Sequence, residues 1–130
     1  MTGLIFNTYK HIMINEWSTT VDALKLMDKV DKKLLIVIDN SNKFISVVSI
    51  GDIQRSLIKN QDYTIKIREI VRVNIAFAKD NESMSAIQTL MLEKRAEFMP
   101  ILNDDNELIK VVFWADLFEE KYSNHKGNLN

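Results

Sequence analysis

The chain has 130 residues, 46 % apolar and 27 % charged, a composition that suits one compact module with a useful core. A net charge of −1 argues against a nucleic-acid-binding surface, and the absence of cysteine excludes disulfides and thiol chemistry and fits a reducing cytoplasm. No apolar run approaches a membrane span and the N-terminus carries no secretory pattern, so a cytoplasmic protein with neither membrane nor nucleic acid as partner is expected.

Residues 1–14 are a lead-in whose Leu4, Ile5, Phe6, Tyr9 and Ile12 are expected to lay a strand or turn against the body. Ser18-Thr19-Thr20-Val21-Asp22 predicts a helix start with Thr19 as cap and Asp22 three residues on. Val21, Leu24 and Met27 continue as an apolar stripe at helical spacing, and Asp31-Lys32-Lys33 ends the helix. Leu34–Ile38 is apolar and rich in branched residues, which predicts a buried strand. Asp39-Asn40-Ser41-Asn42-Lys43 is turn chemistry, because these side chains bond nearby backbone and tolerate left-handed conformations. Phe44–Ser49 returns as the second strand of a hairpin. Gly51-Asp52-Ile53 then opens a helix with Ile53, Leu57 and Ile58 on one face.

Residues 60–64 read as a polar connection and residues 66–73 as a short lead into the second half. Ile75 and Phe77, with Val73, alternate like a small strand. Asn81-Glu82-Ser83 starts a helix that buries Met84, Ile87, Leu90 and Met91. Phe98–Leu102 and Leu108–Phe113 form a second hairpin around Asn103-Asp104-Asp105-Asn106. Pro100 has no N–H for a ladder, so an open edge is expected beside it. Residues 116–122 read as the last helix and residues 123–130 as a polar tail.

The second half repeats the first. Asp39 maps onto Asn103 and Asp52 onto Asp116, both at an offset of 64 (103 − 39 and 116 − 52). A fixed period of this length marks a duplicated supersecondary unit, here strand–helix–strand–strand–helix. Two such units packed together are expected to leave a cleft for a small ligand.

This pattern resembles a tandem pair of cystathionine-beta-synthase (CBS) domains, a Bateman module, over about residues 12–122, with repeat one at about 12–60 and repeat two at about 66–122. Its most specific part is a strand ending in two apolar residues and Ser or Thr, then two residues and Asp. Val47-Val48-Ser49-Ile50-Gly51-Asp52-Ile53 matches it, with Ser46 where the family usually has glycine. Lys110-Val111-Val112-Phe113-Trp114-Ala115-Asp116 departs further: Lys110 replaces that glycine and Phe113 the hydroxyl residue, while Asp116 is kept. The resemblance implies an α+β fold of two small sheets back to back with helices outside, often assembled as a homodimer. The ending Val112-Phe113-Trp114-Ala115-Asp116-Leu117-Phe118 is similar to CBS pairs that precede bacterial sugar-phosphate nucleotidyltransferase domains, which implies such a domain as the attached or partner enzyme.

The first motif has a chemistry of its own. A hydroxyl and backbone N–H groups at a helix N-terminus suit a phosphate, and a carboxylate in the same turn can accept from both hydroxyls of a ribose. Ser49 and Asp52 are therefore candidate ligand residues, with Arg55 one turn on within reach of a phosphate and Val47 beside the base. Alignment with the family implies that Ile75 and Ala76 pack against that base and that Asp116 stands where the second-site carboxylate would be, although Asp116 is expected mainly as a first-turn helix charge. The implied ligands are AMP, ADP, ATP or S-adenosylmethionine, as regulatory ligands rather than catalytic cofactors. Ser49-Ile50-Gly51-Asp52 also reads as a plain capping box that needs no ligand. Phe113 and Trp114 are expected to fill or occlude the second site, and Trp114 is a candidate interface residue.

No nucleophile elbow, phosphate loop or dinucleotide fingerprint is present, His11 and His125 stand far apart, and Asp104, Asp105 and Glu107 lack a calcium-loop spacing. The expectation is a non-enzymatic nucleotide sensor without a metal. The alternative is a structural dimerisation module with vestigial pockets.

Overall fold

The computed structural model describes residues 9–115 and residue 117. Leu4, Ile5, Phe6 and Asp116, with residues 118–130, lie outside the described residues. The architecture is α+β, with three helices and two three-stranded sheets among the described residues. It divides into two compact units, Met1–Ile75 and Ala76–Asn130.

In the first unit a 3-10 turn (Lys10–Ile12) leads into β1 (Met13–Asn15), α1 (Thr20–Val30), β2 (Leu34–Ile38), β3 (Phe44–Ser49) and α2 (Ile50–Asn60). A second 3-10 turn follows at Ile67–Glu69. The second unit holds β4 (Ala78–Lys79), α3 (Met84–Lys94), β5 (Phe98–Leu102) and β6 (Leu108–Phe113). In each sheet the middle strand pairs in parallel with the strand before the helix and antiparallel with its hairpin partner.

The duplication extends to the register. Ile14 faces Val37 as Ala78 faces Ile101, and Leu34 faces Ser49 as Phe98 faces Phe113. Both hairpins are irregular at the same rung, Val37/Ile38 and Ile101/Leu102. The turns match as well. The Asp39 carboxylate accepts from the backbone N–H of Ser41 and Lys43 at 2.8 and 2.9 Å. The Asn103 side-chain amide oxygen does the same for Asp105 and Glu107, both at 2.9 Å. Asn42 and Asn106 each take the left-handed conformation that closes the turn.

The helix caps follow local chemistry. Thr19 and Asp22 form a reciprocal box at α1, with the Asp22 N–H on the Thr19 hydroxyl at 3.2 Å and the Thr19 N–H on the Asp22 carboxylate at 3.0 Å. Those bonds, the Thr19 amide foremost, hold the Asp22 carboxyl below its ordinary range. At α3 the Ser83 hydroxyl accepts from Ala86 at 3.1 Å, but alanine has nothing to return, so this cap is single.

Both middle strands are buried along nearly their whole length, which is why they read as unbroken apolar runs. Leu35, Ile36, Val37, Val47, Val48, Ile53 and Ile67 are buried in the first unit. Ala78, Ile87, Met91, Met99, Ile101 and Val112 form the core cluster of the second.

Three expectations need correction. Ile58 is 78 % exposed, because the buried line of α2 runs through Asp52, Ile53 and Ser56, and five residues beyond Ile53 turn the helix by about 140°. Met84, the first residue of α3, is exposed, and burial begins at Ile87. Residues 73–77 form no strand: β4 is confined to Ala78 and Lys79. Proline explains the last difference. In the first sheet Met13 pairs with Ile36, whereas the equivalent rung of Phe77 with Pro100 is missing, as it must be where a strand offers no N–H.

Among the described residues no helix is long and apolar enough to cross a membrane.

Candidate functional site

The site residues gather at the junction of β3 and α2. Ser49 is the last residue of β3 and the cap of α2, and Asp52 is the third residue of that helix. The Ser49 hydroxyl accepts the Asp52 N–H at 3.2 Å, and the Asp52 carboxylate accepts the Ser49 N–H at 2.8 Å. The Ile50 N–H is bonded to the Lys33 carbonyl at 2.9 Å, which fixes the helix start against the preceding strand end. The local sequence therefore closes the capping box that Ser49-Ile50-Gly51-Asp52 predicts.

Two arginines converge on this box. Arg55, one turn along α2, donates from Nη2 to Asp52 Oδ1 at 2.7 Å. A Cβ on Gly51 would stand 3.3 Å from the Arg55 guanidinium and 3.7 Å from the Ser49 hydroxyl, so the glycine leaves room for that side chain to fold back. Arg72 donates from Nε to both Asp52 oxygens at 3.3 and 3.2 Å, and from Nη2 to the Ser49 hydroxyl at 3.3 Å.

Arg72 is twenty residues from Asp52, and its arrival depends on how residues 61–72 run. Thr20 is wholly buried, its hydroxyl donates to the Tyr63 carbonyl at 2.6 Å, and its N–H bonds the Ile65 carbonyl at 2.9 Å. The N–H groups of Ile67 and Arg68 bond the carbonyls of Ser18 and Glu16 at 2.7 and 2.9 Å. The Arg68 guanidinium also lies 4.1 Å from the centroid of the Trp17 ring. Finally the buried Ser46 hydroxyl donates to the Arg72 carbonyl at 2.7 Å and pins the backbone beside the site. A hydroxyl on a buried strand needs a partner, and this one uses it to set the path of the connection.

Electrostatics favour the charged carboxylate. Burial is the largest single influence on Asp52 and raises its pKa, but the Ser49 amide and hydroxyl, the Arg72 charge and the Arg55 hydrogen bond together outweigh it, so the carboxyl lies below its ordinary value. Two guanidiniums against one carboxylate leave this trio with one net positive charge at a helix N-terminus. The arginines stay accessible, with side chains 70 % (Arg55) and 42 % (Arg72) exposed, while the Asp52 side chain between them is nearly covered.

Of the sequence-derived candidates, Ser49, Asp52 and Arg55 meet directly. Val47 is wholly buried in β3 opposite Ile36, which makes it a core residue rather than an open pocket wall. Ile75 and Ala76 are half-buried in the irregular segment before β4. Asp116 lies outside the described residues, and Phe113, half-buried, faces Phe98 across the second hairpin. Trp114 packs against the second core and lines a cavity of about 260 Å³ with Met91, Leu92, Arg95, Ala96 and Glu97. Sequence reasoning missed Arg72 altogether. The only signal for its place was Ser46, a hydroxyl where the family has glycine.

Comparison with known proteins bears on the fold. Residues 67–123 match the CBS domain family model. Inosine-5'-monophosphate dehydrogenase of Methanocaldococcus jannaschii is 24 % identical over 110 residues, which make up 85 % of this chain and 21 % of that protein, so the chain spans about a fifth of its relative's length. Staphylococcus aureus OpuCA superposes with a TM-score of 0.73 at 18 % identity, covering 87 % of this chain and 93 % of that one. CBSX2 in complex with AMP superposes with a TM-score of 0.69 at 18 % identity, covering 87 % and 88 %. A CBS domain pair/ACT domain protein of Thermotoga maritima gives 0.65 at 21 % identity, covering 86 % and 88 %. Residues 67–123 therefore match a CBS domain, and the chain has the fold of the CBS domain pair proteins on which it superposes.

Proposed function

We propose that the chain is a non-catalytic regulatory module that binds an adenosine-type nucleotide at Ser49, Asp52, Arg55 and Arg72. The observation that carries this reading is the convergence of two exposed arginines on a hydroxyl–carboxylate pair at a helix N-terminus. Phosphate oxygens suit guanidinium forks, and a carboxylate suits the two ribose hydroxyls. Ile75 and Ala76 are the residues proposed to flank the base, and Asp116 is the proposed second-site carboxylate. AMP, ADP, ATP and S-adenosylmethionine are the ligands to test, and the AMP complex of the structurally similar CBSX2 supports the adenosine class. Regulation follows if the nucleotide binds two states of the module or its partner with different affinity. The proposed assembly is a cytoplasmic homodimer, and the proposed output is an attached or separate sugar-phosphate nucleotidyltransferase, supported by the resemblance at residues 112–118.

The test is a thermal-shift titration with AMP, ADP, ATP, GTP, CTP and S-adenosylmethionine, with Asp52→Ala alongside. A ligand that binds only the folded state raises the midpoint as its concentration passes its dissociation constant. A saturable shift with an adenosine compound, lost in Asp52→Ala, is the expected result. The competing reading, a structural dimerisation module with a vestigial pocket, is favoured by the fact that both Asp52 oxygens already accept hydrogen bonds. No shift at millimolar ligand, with both proteins folded, would favour it.

A further inference from the structure

We propose that Arg72 makes this site selective for phosphorylated ligands by occupying the Asp52 carboxylate until an anion draws it away. The inference rests on the adenosine-nucleotide reading above and adds to it the chemical class that can enter. The Arg72 Nε lies 3.3 and 3.2 Å from the two Asp52 oxygens, and its Nη2 lies 3.3 Å from the Ser49 hydroxyl. The two Asp52 oxygens are the acceptor positions that a ribose diol would need. A ligand that places its sugar on Asp52 must therefore displace this guanidinium.

The cost of displacement depends on what the ligand offers in return. A phosphate monoester offers Arg72 a bidentate anionic partner in place of the carboxylate, so the exchange conserves a charge-assisted contact. A neutral nucleoside offers none. S-adenosylmethionine carries a net positive charge and brings it beside two guanidiniums, so it meets repulsion as well. The backbone arrangement lets the side chain move alone: the Ser46 hydroxyl holds the Arg72 carbonyl at 2.7 Å, while the guanidinium is partly exposed. Arg72 is thus a hinged cation on a fixed post. Its ion pair with Asp52, open to solvent on the arginine side, is of the weak kind that a phosphate can replace.

The experiment is isothermal titration of adenosine, S-adenosylmethionine, AMP and ATP into the wild-type chain, Arg72→Gln and, as a charge control on the same unit, Lys59→Gln. In the wild type AMP is expected to bind at least about tenfold more tightly than adenosine, a difference of about one contact's worth of free energy. In Arg72→Gln the AMP-to-adenosine ratio is expected to fall toward one, with adenosine binding more tightly and AMP more weakly than in the wild type. Lys59→Gln, at the far end of α2, is expected to keep the wild-type ratio. Equal affinity of the wild type for adenosine and AMP, or an unchanged ratio in Arg72→Gln, overturns the role of Arg72 and leaves the adenosine site standing. Failure of all four compounds to bind any of the three proteins overturns the adenosine site and this inference together.

Discussion

Ser49 and Asp52 close on each other at the start of α2, hydroxyl to amide at 3.2 Å and carboxylate to amide at 2.8 Å, and Arg72 lies across both. One small group of atoms therefore serves as a helix cap and as the polar end of the proposed ligand site. The two roles separate experimentally, because the cap acts on stability with no ligand present.

The cap has a definite pH dependence. The Asp52 carboxyl lies below its ordinary range in the folded protein, so its contribution is fully present above the unfolded carboxylate pKa and is lost as the pH falls through the lowered folded value. Asp52→Asn should destabilise the protein by about 1–2 kcal/mol at about neutral pH, the usual size of a lost cap. Urea denaturation of both proteins should show that gap closing on acidification below about pH 4. A gap that stays constant with pH would mean that the carboxylate charge is not its source.

Two isoleucines on one helix should behave oppositely. Ile53 is wholly buried and Ile58 is exposed, although both belong to the apolar set of α2. Ile53→Ala should cost about 2–5 kcal/mol through lost burial and the cavity left behind. Ile58→Ala should stay within about 0.5 kcal/mol of the wild type. Chemical denaturation of the two variants under one condition checks both.

The helix ends offer a stabilising change. Gln61 and Arg95 close α2 and α3 in the left-handed conformation, at φ of 53° and 52°. A side chain is strained there and glycine is not, so Gln61→Gly and Arg95→Gly should each raise stability by about 0.5–1 kcal/mol despite glycine's greater freedom in the unfolded chain. Lys94→Gly, one residue earlier and inside α3, should instead lower it by about 1 kcal/mol. Thermal melts of the three variants should show midpoints moving in these opposite directions.

The duplication was legible in the sequence because its determinants are local. Strand pairs, Asx turns and helix caps involve residues within a few positions of one another, and the same side chains recur 64 residues on. Asp39 and Asn103 make their turns with identical backbone partners, and β2, β3, β5 and β6 begin and end where the apolar runs do. The missing Phe77–Pro100 rung was also implicit, since proline carries its constraint wherever it stands. The outward turn of Ile58 was not, because an apolar residue at the margin of a helical stripe is placed by what packs beside it rather than by its spacing.

The candidate site divides in the same way. Ser49, Asp52 and Arg55 lie within seven residues and their contacts follow from one helix turn, so the sequence by itself determined the cap and one of its arginines. Arg72 reaches Asp52 only because Thr20, Ser18 and Glu16 hold residues 63–68 along the start of α1 and the Ser46 hydroxyl then takes the Arg72 carbonyl. Each of those links joins residues more than twenty-five positions apart. A surface arginine carries no mark of its partner in its own neighbourhood, and only the tertiary path of the chain decided that this one would close over the carboxylate.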